Sequence, residues 1–240
     1  MRDGDTNLLV LTLYVIGITY TFNQMVESID DQVKIEFNKA DVDKQLKEQD
    51  LQDKIGISFS LKPMYKIDDP KELSINIENK YEDVILYVDW DNCAFVEFDG
   101  VSRRMIRVSP DITRDLGVPQ VPSIIVPGKT LKEKISSEGV FSFGAKSDKE
   151  IGTLVYKAGQ SVANVLKWKD SPVKSQKKQF REFMDRKRNF EFSLELVLRL
   201  ARKYVGLAPG HDIPTICVIK CPFTIRKLPW TYALPWNKKK

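Results

Sequence analysis

An uncharged apolar run near the N-terminus constrains this chain more than any other feature of its sequence. Residues 8–22 read LLVLTLYVIGITYTF, and no charged residue follows until Glu27. As a helix, the uncharged stretch 8–26 rises about 28 Å, close to the ~30 Å hydrocarbon core of a bilayer. We therefore predict a transmembrane anchor in residues 1–26. Its membrane-facing residues are Leu8, Leu9, Val10, Leu11, Leu13, Tyr14, Val15, Ile16, Ile18, Tyr20 and Phe22.

Two other interpretations of this run stay open, and its orientation is a separate question. A cleaved signal peptide fits less well, because Arg2 is offset by Asp3 and Asp5 and no small-x-small site ends the run. A buried core helix is the other alternative, although apolar side chains surround the whole helix instead of one stripe. Arg2 on one side and Lys34 and Lys39 on the other nearly balance the positive-inside rule. We expect an extracytoplasmic domain, because long downstream domains cross membranes largely regardless of charge.

Charge is divided unevenly along the 240 residues. Residues 164–240 hold 18 Lys and Arg against 6 Asp and Glu, a net charge of +12, and the formal total of +5 leaves −7 for residues 1–163. This division predicts an anionic partner for the C-terminal third, either an acidic protein surface or anionic lipid headgroups, with nucleic acid less favoured. A solvated basic face with no dedicated partner is the alternative.

Apolar residues that alternate with polar or small ones predict that most of the chain is β-structure. Ile55, Ile57, Phe59 and Leu61 show this period of two, as do the even-numbered residues of 190–200. Because Leu, Glu and Arg also favour helices, a helix over 190–200 is the alternative there. The predicted strands are 55–61, 73–77, 84–90, 94–98, 105–108, 121–126, 190–200 and 214–228.

Other segments depart from the period of two. The polar residues 27–54 predict a stalk or juxtamembrane helix. Apolar residues recur at helical spacing over 148–169, which predicts an amphipathic helix, and a strongly basic helix is predicted over 175–188. Together these two helices form an insertion at 148–189 within a β-domain that covers residues 55–228.

Two segments carry strand and turn motifs that resemble those of a known protein family. Residues 72–100 (ELSINIENKYEDVILYVDWDNCAFVEFDG) lead from an I-x-N strand to a V-x-W strand, and a Pro-Gly turn in residues 121–135 (VPSIIVPGKTLKEKI) opens a later strand. These motifs resemble membrane-anchored immunoglobulin-like β-sandwich proteins of bacterial envelopes. The resemblance implies a mainly β sandwich with a binding or assembly role and without catalytic residues. We expect such an immunoglobulin-like β-sandwich, with the two-helix insertion, behind one transmembrane helix.

Few residues in the chain suggest covalent or metal chemistry. A single histidine, His211, disfavours most His-based triads and His-rich metal sites, and no Ser or Cys nucleophile lies near it in a recognisable context. Three cysteines favour buried free thiols, although Cys93 pairing with one of the other two is the alternative in an exported domain. The loop 126–130 lacks the first glycine of a phosphate-binding loop, and the acidic residues within 89–99 lack EF-hand spacing. We expect no catalytic, cofactor-binding or metal-binding residues.

Basic and aromatic residues in the last third carry the functional hypothesis. The tail 229–240 holds Trp and Tyr beside lysines, a combination that favours the headgroup zone of a membrane. Packing on the domain itself and docking in a partner's groove are the alternatives. The residues predicted to contact a partner or lipid are Lys177, Lys178, Arg181, Arg186, Lys187, Arg188, Trp230, Tyr232, Trp236, Lys238, Lys239 and Lys240.

These features favour a non-enzymatic single-pass membrane protein that acts as a binding, scaffold or assembly subunit of a membrane-associated complex. Its expected partners are the lipid bilayer and other proteins of the complex. The alternative is a cytoplasm-facing membrane tether that binds nucleic acid or anionic lipid through the basic third, with bases stacked on Phe180 or Phe183. An enzyme of the membrane surface is the third hypothesis, and no recognisable nucleophile and base support it.

Overall fold

The computed structural model describes residues 3–29, 31–108, 119–144, 153–156, 161–202 and 215–233. The described chain is mainly β, as predicted, and begins with a long apolar helix. The helices are α1 (Asp3–Ile29), α2 (Lys39–Glu48) and α3 (Lys174–Met184). Single 3-10 turns lie at Trp90–Asn92, Glu138–Val140, Val165–Trp168 and Trp230–Ala233. The strands are β1 (Gln32–Phe37), β2 (Ile55–Ser60), β3 (Tyr65–Lys66), β4 (Leu73–Asn79), β5 (Val84–Val88), β6 (Ala94–Val96), β7 (Ser102–Arg107), β8 (Ser123–Ile125), β9 (Thr130–Ser137), β10 (Phe141–Gly144), β11 (Thr153–Tyr156), β12 (Phe190–Arg202) and β13 (Thr215–Lys227).

Eleven of these strands form one curled antiparallel sheet. Its order is β2-β4-β9-β7-β6-β12-β13-β1-β3, while β5 pairs with the second half of β12 and with β8. Strands β10 and β11 form a separate pair. The longest pairing joins β12 to β13, from Phe190 opposite Ile225 to Leu200 opposite Thr215. The period of two in the sequence therefore predicted the central strands correctly, and the alternative of a helix over 190–200 is wrong.

The curl brings the two walls of the sheet together over one hydrophobic core. Phe59 of β2 packs against Phe37 of β1 and Phe223 of β13, each with ring centroids 4.8 Å apart. Alternate residues of the long central strands point inward, so Ile77 on one wall and Leu196 on the other are fully buried. Burying each such side chain contributes about 1.5–3 kcal/mol, which makes this core the main source of stability.

Helix α1 stands apart from the core. Its segment Asn7–Val26 is long and apolar enough to cross a membrane, although a signal sequence passes the same test, and none of the segment is buried. The alternative of a buried core helix therefore does not fit. The residues predicted to face the membrane all lie on α1 and are exposed.

The predicted stalk at 27–54 needs correction, because most of this segment is part of the domain. Strand β1 pairs with β13 on one side and with β3 on the other. Its Val33 and Ile35 are buried in the core, and α2 buries Val42 and Leu46. Val33, Ile35 and Phe37 alternate with Lys34 and Glu36, so this segment has the same period of two as the predicted strands, and the prediction of a stalk gave too much weight to the charged residues around it.

The amphipathic helix predicted over 148–169 is also wrong where the structure describes it. Residues Thr153–Tyr156 form β11 and pair with β10, and only Val165–Trp168 makes a 3-10 turn. The remaining parts of the prediction, 148–152 and 157–160, lie outside the described residues. Gly152 and Gly159 each disfavour a helix by about 1 kcal/mol, and β10 offers a strand partner that a local pattern does not reveal. The second predicted helix is present as α3, with shorter bounds.

Helix α2 protects an edge of the sheet. Strand β13 pairs with β1 only from Phe223 onward, so the first half of β13 has one open edge. The side-chain amide of Gln45 covers it, because its Nε2 donates to the Lys220 carbonyl at 2.7 Å and its Oε1 accepts from the Lys220 N–H at 2.9 Å. A side chain thus takes the place of a neighbouring strand and blocks pairing with another chain.

Candidate functional site

Strand register brings several distant segments to one end of the sheet, which we call the base. Strand β1 begins there directly after α1, and Val33 lies opposite Lys227 at the end of β13. The Leu228 N–H donates to the Gln32 carbonyl at 2.9 Å. Strand β12 also begins there, since Phe190 lies opposite Ile225. The base therefore contains the end of α1, residues 65–69 around β3, the turn before β12 and residues 227–233.

The opposite end of the sheet, which we call the far end, is well separated from the base. Strands β12 and β13 are 13 residues long. At about 3.3 Å per residue, their two ends are about 40 Å apart. Arg202 pairs with Val84 at the far end, and the β8–β9 turn lies there too, because Asn79 bonds both Val84 and Ile125. Lys129 in that turn is therefore remote from α1.

An aromatic contact joins α1 to the base. Phe22 meets the ring of Trp230 edge-on, with centroids 6.1 Å apart and an interplanar angle of 89°. Tyr232 in the same 3-10 turn is exposed. Trp230 and Tyr232 thus lie beside the end of the apolar segment of α1, the level at which such residues favour a membrane interface. The predicted contacts Trp236, Lys238, Lys239 and Lys240 lie outside the described residues.

The basic helix α3 packs through its aromatic residues and exposes its charges. Phe183 is fully buried with its ring 5.0 Å from that of Phe190, so the predicted base stacking on Phe183 is wrong. Over residues 174–188, seven Lys and Arg face two acidic residues, a net charge of +5. Glu182 lies 3.9 Å from Lys178 and 3.8 Å from Arg188, and Asp185 lies 3.1 Å from Lys187. The exposed basic residues without an ion pair in the described chain are Lys174, Lys177, Arg181 and Arg186.

Arg186 occupies a backbone conformation that normally belongs to glycine. It follows the end of α3 with φ of 62°. Its N–H donates to the Phe183 carbonyl and the Lys187 N–H donates to the Glu182 carbonyl, the two bonds of a Schellman motif. A left-handed conformation costs a non-glycine residue about 1–2 kcal/mol. The turn of Arg186, Lys187 and Arg188 accordingly keeps an arginine at a position where glycine is more stable.

A pocket of about 430 Å³ opens between the base and the insertion, and we call it the base pocket. Its charged residues Asp31, Lys66, Asp68 and Lys169 form no ion pair with other described residues. The Oε1 atom of Gln32 is buried and accepts no hydrogen bond from the described chain. The remaining lining is apolar, from Ile67, Leu166, Phe180 and Met184. The sequence did not predict this site, because Lys66 and Lys169 are 103 positions apart and no local motif marks either one.

A second charged cluster near the insertion is closed by ion pairs, and we call it the charge latch. Glu97 is 8% exposed and accepts from Arg103 Nε at 2.6 Å and from Lys167 Nζ. Lys167 also donates to Asp99 at 2.7 Å and lies 4.8 Å from the Phe98 ring centroid. Burial raises the pKa of Asp99, but the bonds from Lys167 and the Val101 N–H outweigh it and lower the net pKa. The latch ties β6 and β7 to the insertion.

The acidic residues within 89–99, whose carboxylates could in principle hold calcium, bond side-chain cations instead. Asp89 bonds Arg199, and Asp91 bonds Arg104 and the Gln120 N–H. Burial raises the pKa of Asp91, while these bonds lower it more, so the carboxylate form is favoured. Within the described residues, no three His, Cys, Asp or Glu side chains are arranged to hold a metal ion.

All three cysteines are free and buried. Burial raises the pKa of Cys93 to about 12 and that of Cys217 to about 11. The thiolate is the reactive form, so these side chains behave as apolar core residues at neutral pH.

Comparison with known proteins adds no relative: no family model, curated protein or solved structure matches this chain.

Proposed function

We propose that the chain is a non-enzymatic single-pass membrane protein whose domain rests directly on the bilayer as a binding, scaffold or assembly module of a membrane-associated complex. The finer fold that we propose is an immunoglobulin-like sandwich, supported by the two walls that pack over one core. The contact between Phe22 and Trp230 carries the proposal, because it seats the base beside the end of the apolar helix. The short passage from α1 to β1 leaves no stalk between them.

The mechanism follows from this geometry. An anchor raises the local concentration of the domain at the membrane, so weak contacts with a partner there are strengthened without any new bond. Trp230 and Tyr232 at the interface limit the tilt of the domain, because their amphipathic rings favour the headgroup level. The exposed cations of α3 then face an acidic partner or lipid surface close to the bilayer. The domain lies outside the cytoplasm in this proposal.

The distance of the base from the bilayer is tested with a fluorescent label on a cysteine. Tyr232→Cys places the label at the base, and Lys129→Cys is the matched control at the far end. In vesicles that contain the full chain and a lipid-bound quencher, we expect strong quenching at position 232 and little at position 129. The wild-type chain controls for its own thiols, which are buried. Equal quenching at both positions contradicts a base that rests on the membrane.

Orientation is tested with the same Lys129→Cys chain in cells. A membrane-impermeant maleimide is expected to label it in intact cells and not in inverted vesicles. The reverse pattern places the domain in the cytoplasm and favours the alternative of a cytoplasm-facing tether. Failure of the chain to sediment with membranes after carbonate extraction contradicts the single-pass anchor itself.

A further inference from the structure

We propose that the base pocket, together with the turn Arg186–Arg188, binds the headgroup of a membrane phospholipid whose phosphate is accompanied by hydroxyl or ammonium donors. This inference rests on the proposed function, because it requires the base to lie at the bilayer. It adds a specific ligand and names the residues that bind it.

The buried Oε1 of Gln32, which accepts no hydrogen bond from the described chain, distinguishes this pocket from the others. The pocket of about 570 Å³ also holds charges without an ion pair in the described chain, Lys62, Asp69 and Lys71, beside Lys134 bonded to Glu72 at 2.6 Å, but it holds no such buried acceptor. In the pocket of about 170 Å³, Glu97, Arg103 and Lys167 belong to the charge latch. The four charges of the base pocket have no such partners in the described chain, so a ligand there does not have to break an ion pair.

The base pocket offers two kinds of polar group, donors and acceptors. Lys66 and Lys169 supply ammonium donors for a phosphate, and Arg186, which has no ion pair in the described chain, adds guanidinium donors that suit phosphate oxygens. Asp31, Asp68 and the buried Oε1 of Gln32 accept hydrogen bonds and have no donor in the described chain. A choline headgroup has no N–H or O–H to offer them, whereas a glycerol hydroxyl or a primary ammonium does.

The apolar lining and the location complete the argument. Ile67, Leu166, Phe180 and Met184 form a hydrophobic floor next to the charged rim, an arrangement that suits the boundary between headgroup and acyl chain. Asp31 follows α1 by two residues, so the pocket opens where a lipid beside the anchor presents its headgroup. The left-handed Arg186 costs stability, and phosphate binding gives a reason to keep an arginine there.

The test measures lipid selectivity of the full chain in phosphatidylcholine vesicles, by electron paramagnetic resonance of spin-labelled lipids. We expect phosphatidylglycerol or phosphatidylethanolamine to associate more strongly than phosphatidylcholine, by about five-fold for a contact of ~1 kcal/mol. Preference for the glycerol lipid identifies a hydroxyl donor, and preference for the ethanolamine lipid identifies an ammonium. Equal association of all three lipids overturns the proposal.

Variants separate the pocket from a general basic surface. Lys66→Ala with Lys169→Ala is expected to remove the selectivity, whereas Lys129→Ala with Lys132→Ala, the matched pair of exposed lysines outside the base, keeps it. Selectivity that survives the first pair, or disappears equally in both, overturns the assignment. Circular dichroism checks that both double variants are folded.

Two further outcomes identify what else has failed. If the label at position 232 is quenched by lipid and no selectivity is found, the membrane proposal stands and the headgroup proposal fails. If that label is not quenched, the proposed function has failed. Salt-dependent binding of a single-stranded oligonucleotide that the Lys66 and Lys169 variants abolish, without lipid selectivity, overturns the proposal in favour of nucleic acid.

Discussion

Lys167 and Lys169 are two residues apart in the chain and belong to two different kinds of surface. Lys167 closes the charge latch, where it bonds Glu97 and Asp99. Lys169 lies at the base pocket with no ion pair in the described chain. Trp168 between them is buried against Phe98. The same residue type therefore contributes to stability on one side of this tryptophan and remains available for a ligand on the other.

The difference teaches how to separate structural charge from functional charge in a highly charged chain. Substituting a lysine whose acidic partner is buried leaves the charge of that partner buried and uncompensated, which lowers stability. A lysine without a partner contributes little to stability, so its removal leaves the fold intact. Predictions on these two regions therefore differ in what they change, stability or binding.

The largest expected effect comes from removing the side chain of Trp168, which lies between the charge latch and the base pocket. Trp168 packs against Phe98 at 4.7 Å and Phe190 at 5.1 Å between ring centroids. Trp168→Ala leaves a cavity there and is expected to lower the free energy of unfolding by about 3–5 kcal/mol. Urea denaturation of the detergent-solubilised chain measures it. Trp230→Ala is the matched control, and a loss as large as that of Trp168→Ala contradicts this assignment, because Trp230 is only half-buried.

The next effect separates the two lysines directly. Lys167→Met removes one of the two cations that face buried Glu97 and is expected to cost about 2 kcal/mol in unfolding free energy. Lys169→Met is the matched control, with an expected change within about 0.5 kcal/mol. Lipid selectivity is expected to change only in Lys169→Met. Equal losses of stability in the two variants contradict the distinction between latch and pocket.

Acidic pH is expected to lower stability through the carboxylates of the charge latch. The pKa of Asp99 in the folded protein is below the ordinary value of 3.8, since its bonds outweigh burial, and the same holds for Asp91. A lowered pKa adds stability that is present above pH 3.8 and is lost as pH falls below that value. We therefore expect the unfolding free energy to decrease between about pH 4 and pH 2. Lys167→Met is expected to flatten this dependence, and an unchanged slope contradicts a latch closed by Lys167.

The smallest expected effect has the opposite sign. Arg186→Gly relieves the left-handed backbone after α3 and is expected to stabilise the chain by about 1 kcal/mol. It also removes a cation of the base, so lipid selectivity is expected to decrease. Arg186→Ala, the matched control, loses the same charge but keeps the strained backbone. If Arg186→Gly stabilises no more than Arg186→Ala, the arginine carries no conformational cost.

The sequence predicted those elements whose pattern is long and local. Residues 190–200 of β12 alternate without a break, β13 is a long run of residues that favour strands, and α1 contains a long uncharged apolar run. Each of these patterns indicates its structure without help from the rest of the chain. Strand β1 escaped prediction although Val33, Ile35 and Phe37 alternate, because the charged residues around them favoured a polar stalk. The helix expected over 148–169 failed because a short apolar segment satisfies both periods, and the partner strand β10 decided between them.

For the candidate site, too, some features follow from the sequence alone and others depend on the tertiary structure. Arg186, Lys187, Arg188, Trp230 and Tyr232 were predictable, because dense positive charge and clustered aromatic residues are visible along the chain. Their meeting at the base was not, since it depends on the antiparallel register of three strands. Residue types and periods are properties of a segment, so the sequence by itself determined a mainly β chain with an apolar N-terminal helix and a basic last third. The base pocket and the different roles of Lys167 and Lys169 depend on residues more than 60 positions apart, and only the curl of the sheet brings those residues into contact.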